Sequence, residues 1–195
     1  MLEVGLRDYV DGAALVSDLV NTVPGHRLGD RLTSAQELTA FLAAHDLAHD
    51  HVTGRDVTAV RTLRGELVAL FTLGTDAEVL SSVSEILEPC PHRLVVGPDH
   101  ASAKHGDWRL ATTPDASYID QLRLVAGTSL LAVIQALGRE RLRDCSSPDC
   151  TGMFIDTSNT GRRRFCIPRI CGNRLNVARY RAKQAGLRSP ADPRV

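Results

Sequence analysis

The chain has 195 residues, 43% apolar and 24% charged, an ordinary globular composition whose core must come from Leu, Val and Ala because aromatics are scarce. Fifteen glycines, nine prolines and five cysteines exclude collagen-like, disordered and disulfide-dense classes, and the longest uncharged run, Leu124 to Gly138, has 15 residues, short of the ~20 that a spanning helix needs. The formal net charge of zero hides a split: residues 1–138 carry 10 Lys+Arg against 18 Asp+Glu, a net of −8, and residues 139–195 carry 13 against 5, a net of +8.

The first 90 residues read as helices. Ala14, Leu15, Leu19 and Val23 recur at helical spacing up to the stop at Pro24-Gly25. A loop from Pro24 to Thr33 leads to Ser34-Ala-Gln-Glu37, a capping box that opens a second helix with Leu38, Phe41 and Leu42. Val57, Val60, Leu63, Leu67, Leu70 and Phe71 stripe a third helix over Arg55–Leu73. Asp76 is read as the cap of a fourth, which runs through Leu87 to the stop at Pro89. Residues 93–97 and 107–112 alternate around a turn and read as a β-hairpin. Ser117 to Gly138 then forms a long central helix, with Leu122, Val125, Leu130, Val133, Ile134 and Leu137 available for burial. The last residues, Ser189 to Val195, read as a fraying tail.

Four cysteines stand as Cys145-x4-Cys150-x15-Cys166-x4-Cys171. Two pairs of equal short spacing across a medium gap suit a tetrahedral four-thiolate zinc site, each short loop supplying two ligands. Ser146, Ser147, Pro148 and Asp149 are turn formers, and Arg143, Arg164 and Arg169 would offset the −2 charge of such a centre. The alternatives are two disulfides or four free thiols. The start of the chain shows no signal-peptide pattern, so a cytoplasmic setting is expected, which disfavours disulfides, and the clustering disfavours free thiols. With four protein ligands the metal has no open position and is structural. After Cys171 a helix follows, with Leu175, Ala178, Ala182 and Ala185 on one side and Asn173, Asn176, Tyr180 and Lys183 on the other, flanked by Arg174 and Arg181. A knuckle, a hairpin and a helix make a treble-clef-like module.

Cys145-Ser-Ser-Pro-Asp-Cys150, Phe154-Ile-Asp-Thr-Ser158, Arg162-Arg-Arg-Phe-Cys166 and Cys171-Gly-Asn-Arg174 resemble the signature of the CGNR zinc-finger proteins of bacteria. Ser17-Asp-Leu-Val-Asn-Thr22 is similar to the opening motif of the ABATE domain that precedes this finger. The resemblance spans nearly the whole chain and is more specific after residue 140. Phe165 stands where the family usually has Trp, and Met153 where it often has an aromatic, neither being a ligand. The resemblance implies a transcriptional regulator with a zinc-binding C-terminal module.

The expected fold is thus mainly α with a small β-hairpin: a helical body over 1–138, a zinc module over 139–187 and a flexible tail over 188–195. Arg162, Arg163, Arg164, Arg169, Arg174, Arg179, Arg181 and Lys183 lie in a stretch with no acidic residue, the electrostatic footprint of phosphate binding. Asn173, Asn176 and Tyr180 could then reach base edges. The alternatives are an interaction module whose arginines dock an acidic protein, and a basic face that only neutralises the thiolates or docks on the chain's own acidic body. An enzyme is disfavoured: no nucleophile elbow, phosphate loop or HExxH motif is present. Asp18, Asn21 and Thr22 read as helix-end capping or, with Arg27 and Arg31, as the lining of an effector pocket in the body. His45, His49 and His51 read as a polar helix end ahead of a second metal site, and Cys90 as a buried thiol ahead of a nucleophile.

Overall fold

The computed structural model describes residues 2–5, 9–24, 26, 29–47, 51–98, 106–147 and 150–187. The expected fraying tail and His49, Arg27, Pro148 and Asp149 lie outside them. In chain order the elements are β1 (Glu3–Gly5), α1 (Tyr9–Val20), α2 (Ala35–Ala43), α3 (Gly54–Leu70), α4 (Asp76–Leu87), β2 (His92–Pro98), β3 (Gly106–Thr112), α5 (Tyr118–Leu137), β4 (Leu142–Asp144), β5 (Met153–Ile155) and α6 (Asn173–Leu187). The fold is mainly helical, with a helical body followed by a small strand-and-helix module around the clustered cysteines.

Capping chemistry places the helix starts. α2, α3, α4 and α5 each begin with a reciprocal capping box: Ser34 with Glu37, Thr53 with Asp56, Thr75 with Glu78, and Ser117 with Asp120. The cap of α4 is therefore Thr75, and Asp76 is the first helical residue, where a carboxylate favours the positive end of the helix. α3 ends at Leu70, three residues before the expected stop. α1 ends at Val20, short of Pro24, because Thr22 donates its hydroxyl to the Leu19 carbonyl at 2.6 Å and Asn21 donates to the Ser17 carbonyl at 2.6 Å.

α5 is the central helix. Leu122, Leu124, Ala126, Leu130, Val133 and Ile134 are buried, and α1, α3 and α4 pack around it. Leu19 and Val16 of α1, Leu63 and Leu67 of α3 and Val79 and Val83 of α4 complete one apolar core. α1 crosses α5 where Gly12 meets Ser129, and a Cβ at residue 12 would fall 1.8 Å from Ser129 Oγ. The expected hairpin is present, with Leu94 opposite Leu110. It belongs to a three-stranded antiparallel sheet ordered β1-β3-β2. The added strand, β1, has three residues, too few to show an alternation, and is recruited by pairing Val4 with Leu110.

The loop after α1 is held by a buried cation. Arg64 of α3 donates to the Thr22 carbonyl at 2.9 Å and to Asp30 Oδ1 at 2.9 Å, and the Leu32 N–H reaches the same carboxylate at 3.1 Å. The Arg64 hydrogen bond holds the Asp30 carboxyl below its ordinary value against the opposing effect of burial. Removing Arg64 would leave the Thr22 carbonyl with only the Arg31 N–H, at 3.1 Å, and the mostly buried Asp30 carboxylate with the Leu32 N–H and Arg61 at 3.4 Å. Arg64→Met is expected to cost about 1–3 kcal/mol at neutral pH, read by urea unfolding. The Asp30 contribution is present above the unfolded carboxylate value, about pH 4, and is lost as pH falls through the lower folded value. Asp30→Asn should therefore flatten the stability–pH curve in that acid window and leave its shape above pH 5 unchanged.

Candidate functional site

β4 and β5 pair antiparallel, Arg143 opposite Phe154, and the turn between them carries Cys145 and Cys150. The Cys145 N–H closes this turn on the Gly152 carbonyl at 2.7 Å. The Ser146 N–H takes the Arg164 carbonyl at 2.8 Å, which brings in the segment holding Cys166. A single π-helical turn, Pro168–Gly172, then runs directly into α6 and carries Cys171. The last ligand thus sits at the entry of the final helix, in the treble-clef-like order expected.

The four sulfurs lie within 4.8 Å of one another. Cys150–Cys166, Cys166–Cys171 and Cys171–Cys150 are each 3.7 Å apart. A regular tetrahedron with Zn–S bonds of about 2.3 Å has edges of about 3.8 Å, so the spacing is that of a metal cage. It is far from the ~2.05 Å of a disulfide, and all five cysteines are free thiols. Burial pushes the Cys166 and Cys171 thiols up, and the neighbouring Cys145 adds to the rise at Cys166. Burial opposes ionisation of Cys145 too, but backbone N–H donors from Cys166 and Ser147 outweigh it and bring that thiol down. Four thiolates at this spacing repel one another, and a dication at the centre removes that cost. The four cysteines fit one structural zinc ion.

Ser17 of α1 and Asn21, just past its end, hold this module to the body. Ser17 Oγ accepts the Ile155 N–H at 2.9 Å. Asn21 accepts the Met153 N–H at 3.0 Å and donates to the Met153 carbonyl at 2.6 Å. A Cβ at Gly152 would lie 2.6 Å from Cys166 Sγ and 2.9 Å from Asn21 Oδ1, so only glycine fits between clamp and cage. The buried His26 reaches Cys166 Sγ with Nε2 at 4.0 Å. Below the cage lies Asp156, fully buried. Burial disfavours its charge, but Ser158 Oγ, the Ser158 and Arg163 N–H groups and Arg143 at 3.3 Å hold the carboxyl below its ordinary value. Ser17, His26 and Asp156 were not assigned roles from sequence. The Phe154-x-Asp156 motif marked one of them, whereas nothing local marks Ser17 or His26.

Arg143, expected to neutralise the cage, pairs with Asp156 instead. Arg163 spends its guanidinium within the module, donating to the Phe165 and Cys166 carbonyls and lying 4.6 Å over the Phe154 ring. Arg162, Arg164, Arg169, Asn173, Arg174, Asn176, Tyr180, Arg181 and Lys183 are exposed. The side chains of Leu175, Ala178, Arg179, Ala182 and Ala185 lie outside the described set, so the apolar side expected for α6 does too.

On the far side of α1, Asp18, Thr22 and Arg31 line a cavity of about 300 Å³ with Glu37, Phe41 and His45. Asn21 is not part of it: one helix residue cannot face both this cavity and β5, and it faces β5. α2 stops at Ala43, so His45 lies beyond the helix, its ring tilted 48° against that of Phe41 with centroids 4.8 Å apart and its Nε2 3.4 Å from Asp18. Among the described residues, the four cysteines are the one group placed to hold a metal. Cys90 donates to the Asp120 carbonyl at 3.2 Å, and burial first, then the Asp120 charge, pushes its thiol up to about 11. It is a buried thiol, as read from sequence. No described helix is long and apolar enough to cross a membrane.

The family model for ABATE, described as "Putative stress-induced transcription regulator", matches residues 13–138. The CGNR zinc finger model matches residues 141–184. No curated protein matches the sequence.

Metal analysis of protein purified without chelator is expected to give one zinc per chain. Cys145→Ser should lose it, and the loss of far-ultraviolet signal should be confined to what β4, β5 and α6 contribute. Asn21→Ala would leave the Met153 N–H and carbonyl without their side-chain partners. Such a loss costs about 1–3 kcal/mol, and it should appear as zinc release at lower urea, followed with a chromogenic chelator.

Proposed function

The chain belongs to the ABATE family and carries a CGNR zinc finger, and from this premise we propose that it regulates transcription by binding DNA through residues 139–187, with residues 1–138 as the modulating body. One observation carries the reading. Arg162, Arg164, Arg169, Arg174, Arg181 and Lys183 are exposed along one loop and helix, in a stretch without an acidic residue. Such a surface releases counterions when phosphates replace them. Zinc fixes the loop and the start of α6, so the cations are presented at low entropic cost. Asn173, Asn176 and Tyr180 lie exposed on the same helix, and an Asn amide matches the adenine edge in the major groove. Arg163 supports the loop from within and is not counted among the phosphate contacts.

The described side chains of α6 face solvent, which supports an open, binding-competent arrangement over one masked by the acidic body. α1 supplies the physical link to that body. One side of its C-terminal end holds β5 through Ser17 and Asn21, and the other borders the cavity lined by Asp18, Thr22 and Arg31. A small effector or a protein partner seated there changes DNA affinity only as far as it prefers one position of α1 over another.

Duplex DNA binding by the full chain, followed by fluorescence anisotropy across a salt series, tests the proposal. Arg162→Ala with Arg164→Ala should weaken binding and reduce the log–log salt slope by about 2, near 0.9 per lost phosphate contact. Asn173→Ala with Asn176→Ala should relax sequence preference in a selected DNA pool and leave that slope unchanged. Absence of salt-dependent DNA binding by the zinc-loaded chain would overturn the reading. The exposed basic face would then belong to an adaptor for an acidic protein.

A further inference from the structure

A second cavity, of about 500 Å³, opens between α1, β1 and the segment after α2. That volume is within the range of small-molecule sites. Its floor is apolar: Val4, Leu15 and Leu47 are buried, and Leu2 and Val125 are half-buried. Gly12, pressed against Ser129 of α5, contributes only backbone to the lining, beside the side chains of Asp11, Ala14 and Leu15. Its polar rim is acidic. Glu3, Asp11 and Asp46 surround it, and no Lys or Arg is among the described lining residues.

Glu3 has a partner in Arg109, at 3.7 Å and largely in solvent, a geometry in which an ion pair contributes little. Asp11 and Asp46 form no ion pair among the described residues. His45 forms part of the wall, with Nε2 turned to Asp18 at 3.4 Å. Across residues 1–138 the net charge of −8 adds a long-range field of the same sign. An anion entering here would meet three exposed carboxylates around an apolar floor. A neutral apolar molecule would gain from the floor alone. A molecule with an apolar body and a positive charge at its edge satisfies both parts of the lining.

We propose that this cavity binds an organic cation with an apolar body, an amine, quaternary ammonium or phosphonium of drug-like size. The site stands on the body of the chain alone and does not depend on DNA binding. It is separate from the smaller cavity at Asp18 and Arg31, with Ala44 and His45 lining both.

Tetraphenylphosphonium and tetraphenylborate have nearly the same shape and opposite charge, which makes them the probes of choice. Calorimetric titration of the zinc-loaded full chain should show one phosphonium site. Ala14 is exposed and lines the cavity, so Ala14→Phe fills it without entering the core and should abolish that site. Borate bound to the basic α6, or phosphonium held loosely by the acidic surface, would survive Ala14→Phe and is thereby told apart. Asp11→Asn with Asp46→Asn should weaken phosphonium binding about five- to tenfold, from two rim charges. Asn suits position 46, where φ is 56°, since it tolerates the left-handed region. If Ala14→Phe loses its helical signal, the charge variant decides. Phosphonium binding unchanged by either variant, or Ala14-sensitive borate binding as tight as that of the phosphonium, would overturn the proposal.

Discussion

A strand inside a protein must satisfy polar groups on both of its edges. β5 pairs with β4 on one edge, but its other edge meets a helix, whose own backbone groups are already bonded along its axis. Side chains have to substitute, and Ser17 of α1 and Asn21, one turn on and just past the helix end, do so. Asn has the right chemistry for this place, because one amide both donates and accepts and so mimics a neighbouring strand. The position of β5 against the body and the exclusion of any residue but glycine at 152 both follow from that junction.

The module itself shows why a metal is needed. Among the described residues its own apolar cluster is Phe154 and the cysteines, with Phe165 and Ile167 beside them, a small core for a loop, a turn and a helix. The rest of its cohesion is electrostatic. Asp156 gathers the Ser158 hydroxyl, two backbone N–H groups and Arg143 beneath the cage, while Arg163 ties the loop to the carbonyls of Phe165 and Cys166. A buried carboxylate is tolerable because every direction around it holds a donor. The arginines of this segment consequently divide into two kinds. Among the described ones, Arg141, which donates to the Asp156 and Ser158 carbonyls at 2.9 and 2.8 Å, Arg143 and Arg163 are spent within the module, and Arg162, Arg164, Arg169, Arg174 and Arg181 are exposed. Charge counting along the chain treats them alike.

The two cavities share a feature of construction. Both open on α1, and both include the residues just past α2, where the chain turns through Asp46 in a left-handed conformation. α1 therefore borders the larger cavity through Asp11, Gly12, Ala14 and Leu15 and the smaller one through Asp18, while Ser17 meets the zinc strands.

Local chemistry was legible in the sequence wherever it depended on neighbours a few residues away. Capping boxes at Ser34, apolar stripes on α3 and α5, and the paired cysteine spacings each announce a structure that short-range geometry alone decides. The same logic misplaced the cap of α4 by one residue, because Thr75 and Asp76 are both good caps and only Glu78 reaching back distinguishes them. What depended on distant partners was decided by tertiary packing. β1 became a strand because β3 offered it an edge. Asn21, in line with Asp18 in the sequence, turned the other way because Met153, 132 residues on, had two unsatisfied backbone groups. The cysteine spacing determined that a metal cage would form, and packing decided which arginines it left free.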